Sequence, residues 1–548
     1  MSRSWGVPLL ALLFGLAQAA AAAPVRTEAG LVEGISQDGV TVYKGIPFAA
    51  PPVGDLRWRD PETPTPWSGV RQADHYAPEC MQTGAYPPDA PPEHMSEDCL
   101  YLNIWRPLDA PTAPLPVMVW IYGGGVDNGS GSVPLYAGDM LAKHGVIVVT
   151  FNYRLGVFGF LAHPELSRES PHHTSGDYGL LDQIAALKWV QRNIAAFGGD
   201  PGQVTVFGQS SGSISISALT ASPLARDLFQ RAIGESGGLF EPMELEPELT
   251  LPGAEQQGLR FATRAGAASL QALRAKPAAE LEKVDFGPAL IVDGYAIPKA
   301  PYDVYREGRE DPVSILIGSN ADEGRLFFGG MHVTVGNYAE QLGMQFPSIL
   351  VKLLAPAPGT TDLQAQAAAA QFNTDMRFRW DMWTWAKLAS GQAGHAVYLY
   401  QFDRVPPYPA SSRYAGLGAT HGMEMPYVFG HLDPQAASWT AADQRLSETM
   451  GSYWTNFAKT GDPNGPGLPV WPRYTSAEPK LLYLDSEIAT GPIEDVGNLK
   501  KIGHLYTTAR FVLGHVYLVG TIAILLLLLL ITGLVLLVRR SLRRRKMA

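Results

Sequence analysis

Cysteine is nearly absent from this chain: Cys80 and Cys99 are the only two in 548 residues. That excludes a scaffold stapled by several disulfides. Neither cysteine joins the histidines in a metal-finger spacing, so no metal site is expected. Charge is sparse too, at 17% of residues, and the balance is acidic, at −10. The cluster Arg539, Arg540, Arg543, Arg544, Arg545 and Lys546 carries +6 and Arg3 carries +1, so everything else carries −17. Such an acidic body argues against nucleic acid as a partner. No internal repeat recurs.

Long apolar runs sit at the two ends. Met1-Ser2-Arg3 is positive, Val7 to Leu16 is apolar, and an Ala-rich stretch follows. This reads as a secretory signal peptide over residues 1–22, cut between Ala19 and Ala22, with an apolar block too short to span a bilayer. At the other end Val516 to Val538 is free of charge and includes six leucines from Leu525 to Leu530. Twenty-three such residues cross about 30 Å of hydrocarbon. The basic residues directly after them stay on the cytoplasmic side, which puts the rest outside the cytoplasm, periplasmic or extracellular. A hydrophobic sorting tail that is later removed fits the same pattern. Residues 24–497 are expected to form one α/β unit, 498–515 a juxtamembrane linker, 516–538 a transmembrane helix and 539–548 a basic cytoplasmic tail. An exported chain meets oxidising conditions, so Cys80 and Cys99 are expected to pair. One glycosylation sequon occurs, Asn128-Gly129-Ser130.

Among 57 glycines, two frame a telling sequence, Gly208-Gln209-Ser210-Ser211-Gly212. The apolar Val204-Thr205-Val206-Phe207 before it reads as a buried strand, and the small-residue segment after it as a helix start. In that setting Gly-x-Ser-x-Gly is a nucleophile elbow, which lifts a serine hydroxyl above the sheet edge. A serine nucleophile needs donors for a developing oxyanion. Val117 to Ile121 reads as a strand and runs into Tyr122-Gly123-Gly124-Gly125, whose bare backbone can approach a substrate. The N–H groups of Gly124, Gly125 and Ser211 are the expected donors. In the α/β-hydrolase order the acid and then the histidine follow the serine. Asp322 and Glu323, just past the strand-like Ile315 to Gly318, are both candidates for the acid. Of twelve histidines, His421 in the loop Gly418 to Glu424 is best placed for the base.

With those residues in place, the chain resembles the type-B carboxylesterase family, the α/β-hydrolases that include cholinesterases and bacterial para-nitrobenzyl-type esterases. The likeness extends over residues 25 to 490. It rests on Tyr43 to Ala49, Ser96 to Asn103, Asn152 to Gly156, Gly179 to Gln183, Phe197 to Pro201 and Thr460 to Gly465. It implies a large, mostly parallel sheet with helices on both faces, and hydrolysis of carboxylic esters without metal or cofactor. It implies Ser210, Glu323 and His421 as the triad, with Ser236 supporting it from behind. It also implies the Cys80–Cys99 disulfide and structural ion pairs Arg57–Glu97 and Arg154–Asp182. Lipase action on longer esters is an alternative, and adhesion without catalysis a weaker one.

Two departures bear on substrate. Cholinesterases carry a Trp inside the first disulfide loop, where it attracts a quaternary ammonium by cation–π contact. Between Cys80 and Cys99 the only aromatic residue is Tyr86. The usual elbow also has Glu before the serine, and Gln209 takes that place. Both departures argue against choline esters. Phe327 and Phe328, just after the acid, are candidates to shape an apolar pocket.

Overall fold

The computed structural model describes residues 20–84, 94–328, 331–392, 394 and 396–545. The signal peptide up to residue 19, Tyr86, and parts of the Met81–Met95 and Gly329–Met344 loops lie outside them. Nine strands matter here: β1 (Val40–Pro47), β2 (Tyr101–Pro107), β3 (Leu115–Ile121), β4 (Ile147–Phe151), β5 (Gly199–Gln209), β6 (Arg231–Glu235), β7 (Ser314–Asn320), β8 (Val397–Phe402) and β9 (Lys480–Leu484). They lie in one twelve-stranded sheet in the order β1-β2-β4-β3-β5-β6-β7-β8-β9. Short strands complete its edges, among them Ala20–Ala21, which pairs with Ile35 and Ser36. From β4 to β9 every pairing is parallel.

A parallel strand covered on both faces must be apolar throughout. Val117 to Ile121 and Ile315 to Ile317 show no exposed surface at all. Trp120 anchors the centre, with Phe207, Phe429 and Tyr136 within 4.8 to 5.1 Å of it, ring to ring, or packed on one another. The register places Gly208 opposite both Ile121 and Gly234, and Glu235 opposite Gly318. The carboxyl ends of β3, β5, β6 and β7 therefore meet along one rim, where an open α/β sheet builds its sites.

Cys80 and Cys99 form a disulfide, with their Cα atoms 5.0 Å apart. Arg57 grips Glu97 through two bonds of 2.5 and 2.6 Å, and Arg154 grips buried Asp182 through two of 2.7 Å. The fork of a guanidinium matches a carboxylate in this way, and both pairs pin loops to the body.

Residues 498–515, expected as a linker, fall largely within a helix. Five helices pack on or extend from the sheet here: α1 (Ser211–Ala221), α2 (Ser348–Leu354), α3 (Trp380–Ala389), α4 (Val496–Gly514) and α5 (Val516–Arg545). Leu499, Ile502 and Tyr506 recur at helical spacing and are buried. Tyr506 meets Trp380 edge-on at 4.7 Å, and Asn498 donates to Asp375 at 2.7 Å. The Arg510 guanidinium lies 3.5 Å over the ring of Tyr302 and also bonds the Phe240 carbonyl. Helix α5 contains Leu518–Arg540, long and apolar enough to cross a membrane and with none of that stretch buried against protein.

Candidate active site

Ser210 joins β5 to α1 at φ 56° and ψ −125°, a region few residues with a side chain enter. The turn is held by the Ser210 N–H, which donates to the Glu235 carbonyl at 2.8 Å. The flanking glycines are required by crowding: a Cβ on Gly208 would lie 2.5 Å from the Ile121 oxygen, and one on Gly212 only 2.0 Å from it. The sequence of the elbow thus follows from how tightly the end of β3 lies alongside it.

The glycine loop leaves β3 directly beside this turn. Gly124 has φ +109°, and a Cβ there would strike the Asn128 carbonyl oxygen at 2.1 Å. Ser211 Oγ accepts from the Val126 N–H at 3.1 Å, which fastens the loop to the elbow. Among the described residues, the N–H groups of Gly124, Gly125 and Ser211 donate to no protein acceptor.

Glu323 and His421 converge on the same rim. Glu323 Oε2 is 2.6 Å from His421 Nδ1, with both side chains buried. Its other oxygen accepts from Ser236 Oγ at 2.5 Å and from the Asn320 N–H at 2.7 Å. Three donors hold the carboxylate in one orientation. Asp322 does something else. Its side chain pairs with Arg325 at 2.8 Å and accepts from the Ala419 N–H at 3.1 Å, so it ties the His421 loop to the end of β7.

A carboxylate at Nδ1 fixes the imidazole proton there and leaves Nε2 as an acceptor. Gln209 Nε2 lies 3.2 Å from that nitrogen. The imidazole packs on Phe378 at 4.7 Å and on Phe327 at 5.3 Å, ring to ring. Phe327, noted in the sequence, is at the site. Phe378 was not singled out: it comes from the π-helical turn Asp375–Arg379, which carries no motif.

Behind the rim lies a second group that sequence reasoning missed. Glu235 and Glu424 are both fully buried. Trp454 donates to Glu235 at 2.7 Å, and Asn320 donates to Glu424. Burial and then the neighbouring Glu323 charge push Glu424 up to about 7. Burial, with the charge of Glu424 second, raises Glu235 well above the carboxylate range. The position of Glu424 three residues after His421 was the available signal.

Other histidines have structural partners. His431 is held between the Leu135 carbonyl and Asp139, and His172 stacks on Tyr295. A cavity of about 900 Å³ opens beside His421, walled in part by Leu326, Tyr408, Tyr414, Met423 and Trp439. Among the described residues, no group of three or more histidine, cysteine or acidic side chains could hold a metal ion.

Fold and rim together define an α/β-hydrolase. A solved structure of a PNB esterase superimposes with a TM-score of 0.74, at 36% identity over 87% of this chain and 99% of that one. The Carboxylesterase family model matches residues 21–492. Para-nitrobenzyl esterase of Bacillus subtilis is 41% identical over 489 residues, 85% of this chain and 95% of that protein. Fumonisin B1 esterase of Sphingopyxis macrogoltabida is 39% identical over 493 residues, 85% and 87% of the two chains. The chain belongs to the carboxylesterase family and is a carboxylic ester hydrolase.

Proposed function

We propose that this protein is a serine carboxylesterase working through an acyl-enzyme, with Ser210 as nucleophile, His421 as base and Glu323 as the orienting acid. The observation that carries the reading is the 2.6 Å contact of Glu323 with His421 Nδ1 beside a serine on a strained elbow. His421 Nε2 takes the Ser210 proton as Oγ attacks the ester carbonyl. Glu323 stabilises the imidazolium that results. The N–H groups of Gly124, Gly125 and Ser211 receive the negative oxygen as it forms. His421 then gives its proton to the leaving alcohol. Water enters by the same steps in reverse order and frees the acid.

A fluorophosphonate probe is expected to label the protein and to leave Ser210→Ala unlabelled. Labelling that persists in the variant overturns the assignment. For substrate, we favour uncharged esters over choline esters, since Gln209 supplies no negative charge at the elbow. A series of para-nitrophenyl esters of rising chain length, with a choline ester beside them, tests this. Turnover of the choline ester at a comparable kcat/KM would refute it. A rate that jumps at the solubility limit would favour the lipase alternative.

We further infer that residues 516–538 anchor the enzyme, with the catalytic body outside the cytoplasm and residues 539–548 inside. The uncharged stretch and its basic flank support this. Protease added to intact cells or spheroplasts is expected to release the body, and protection would refute the orientation.

A further inference from the structure

Helix α2 is apolar on two sides. Leu350 and Val351 point into the core that also holds Leu499, Ile502 and Tyr506 of α4. Ile349 and Leu353, one turn apart, face outward and are 54% and 58% exposed. Met344, just before, is 62% exposed. Large apolar side chains clustered on an exposed face call for a covering partner. Helix α2 packs against α4, and α4 ends in Phe511, Val512 and Leu513, all exposed, two residues before α5 begins. Exposed Lys352 sits among these apolar residues, where its stem can lie along lipid and its ammonium can reach the headgroups.

We propose that the Met344–Ile349–Leu353 face rests on the lipid bilayer beside the end of α4, as an interfacial helix does. The proposal rests on the reading that 516–538 spans the membrane. That span is what sets a bilayer next to the end of α4 and makes lipid, rather than a protein, the occupant.

The face also adjoins the catalytic rim. Phe346, between Met344 and Ile349, packs on Phe372 at 5.1 Å and lies 5.1 Å beneath the Arg377 guanidinium. Phe378, the next residue, touches the His421 ring. A body seated in this way takes esters that dissolve in the membrane.

The test uses the full chain in phosphatidylcholine–phosphatidylglycerol vesicles. Both native cysteines are in the disulfide, so Leu353→Cys supplies the one free thiol for an environment-sensitive fluorophore. Asp38→Cys, at the hairpin before β1 near the far edge of the sheet, is the reference. The label at 353 should be quenched by nitroxide-bearing lipid and shielded from iodide, and the label at 38 should show the reverse. Equal iodide quenching at both sites, in chain that survives an alkaline carbonate wash, overturns the proposal alone. Loss of the chain in that wash overturns the anchor and the proposal together. A label at 353 shielded from both quenchers means that protein covers the face, and also overturns it. As a second readout, the double variant Ile349→Glu, Leu353→Glu should hydrolyse a vesicle-borne long-chain ester about ten-fold more slowly, since it removes apolar burial in the interface. Its rate on para-nitrophenyl acetate should be unchanged. Equal loss on both substrates overturns the proposal.

Discussion

At Gln209 the side-chain amide sits 3.2 Å from His421 Nε2, the nitrogen that receives the serine proton in the proposed mechanism. A neutral donor there steadies the ring and places no carboxylate beside it. Gln209→Glu would put a carboxylate in that place and favour the imidazolium. The base limb of the kcat/KM profile should then move to higher pH by about one unit, with the plateau little changed. A pH–rate series on a neutral ester checks it, and an unmoved limb would show that Gln209 does not act on His421. The acidic pair two strands away separates just as clearly. Glu323→Gln should lower kcat by about 10³–10⁴, as loss of the orienting acid does in serine hydrolases. Asp322→Asn, which loosens a loop tie and the contact with Arg325, should cost less than about ten-fold by the same comparison. Steady-state kinetics of the two variants decides this, and a reversed order would mean that the acid is misassigned.

Among the elements, the ends of β6 and β7 and the His421 loop enclose Glu235 and Glu424, carboxyls that the reaction as drawn does not consume. Glu424 is raised to about 7 by burial and by Glu323. Its neutral form therefore favours the fold. That contribution is whole below the unfolded value near 4.5 and is lost as pH rises through about 7. Thermal unfolding should show Tm falling between about pH 5 and 8 by this linkage, and Glu424→Gln should flatten the slope. An unchanged slope in that variant would place the loss elsewhere. The elbow and the glycine loop were legible because each joins an apolar strand to a break that few residues besides glycine can make. The proposed acid needed the family pattern, since Asp322 and Glu323 occupy the same turn and only the direction of each side chain tells them apart. Phe378 and Glu235 could not be placed from sequence, because their role comes from which strand ends and turns the sheet brings together, and the spacing of Glu424 from His421 does not show that it is buried beside Glu323. Helix α4 is a different case. Leu499, Ile502 and Tyr506 keep helical spacing, but Lys500, Lys501 and His504 between them give the segment the look of a linker.

For the molecule as a whole, α4 makes the apolar helix α5 an extension of the α/β body. Leu499→Ala and Ile502→Ala should each cost about 2–5 kcal/mol, the usual loss on truncating a buried aliphatic chain. Denaturant unfolding of the detergent-solubilised protein measures this, and a change within error would show that α4 is not docked in solution. The triad proposed here is drawn from residues 210, 323 and 421, so on that reading no early part of the chain can be active alone. This bears on where the protein can be made. Asn128 carries the only glycosylation sequon, and its backbone and side-chain oxygens are the atoms that a Cβ on Gly124 would strike, at 2.1 and 2.8 Å. Ser130 of the same sequon is buried and bonds Ser132 and Asn152. A eukaryotic secretory pathway attaches sugars while the chain is still entering the lumen, before the glycine loop has closed over that asparagine. A glycan there would hold the loop off the elbow, so the same gene would yield active enzyme from a bacterial periplasm and inert, glycosylated chain from yeast.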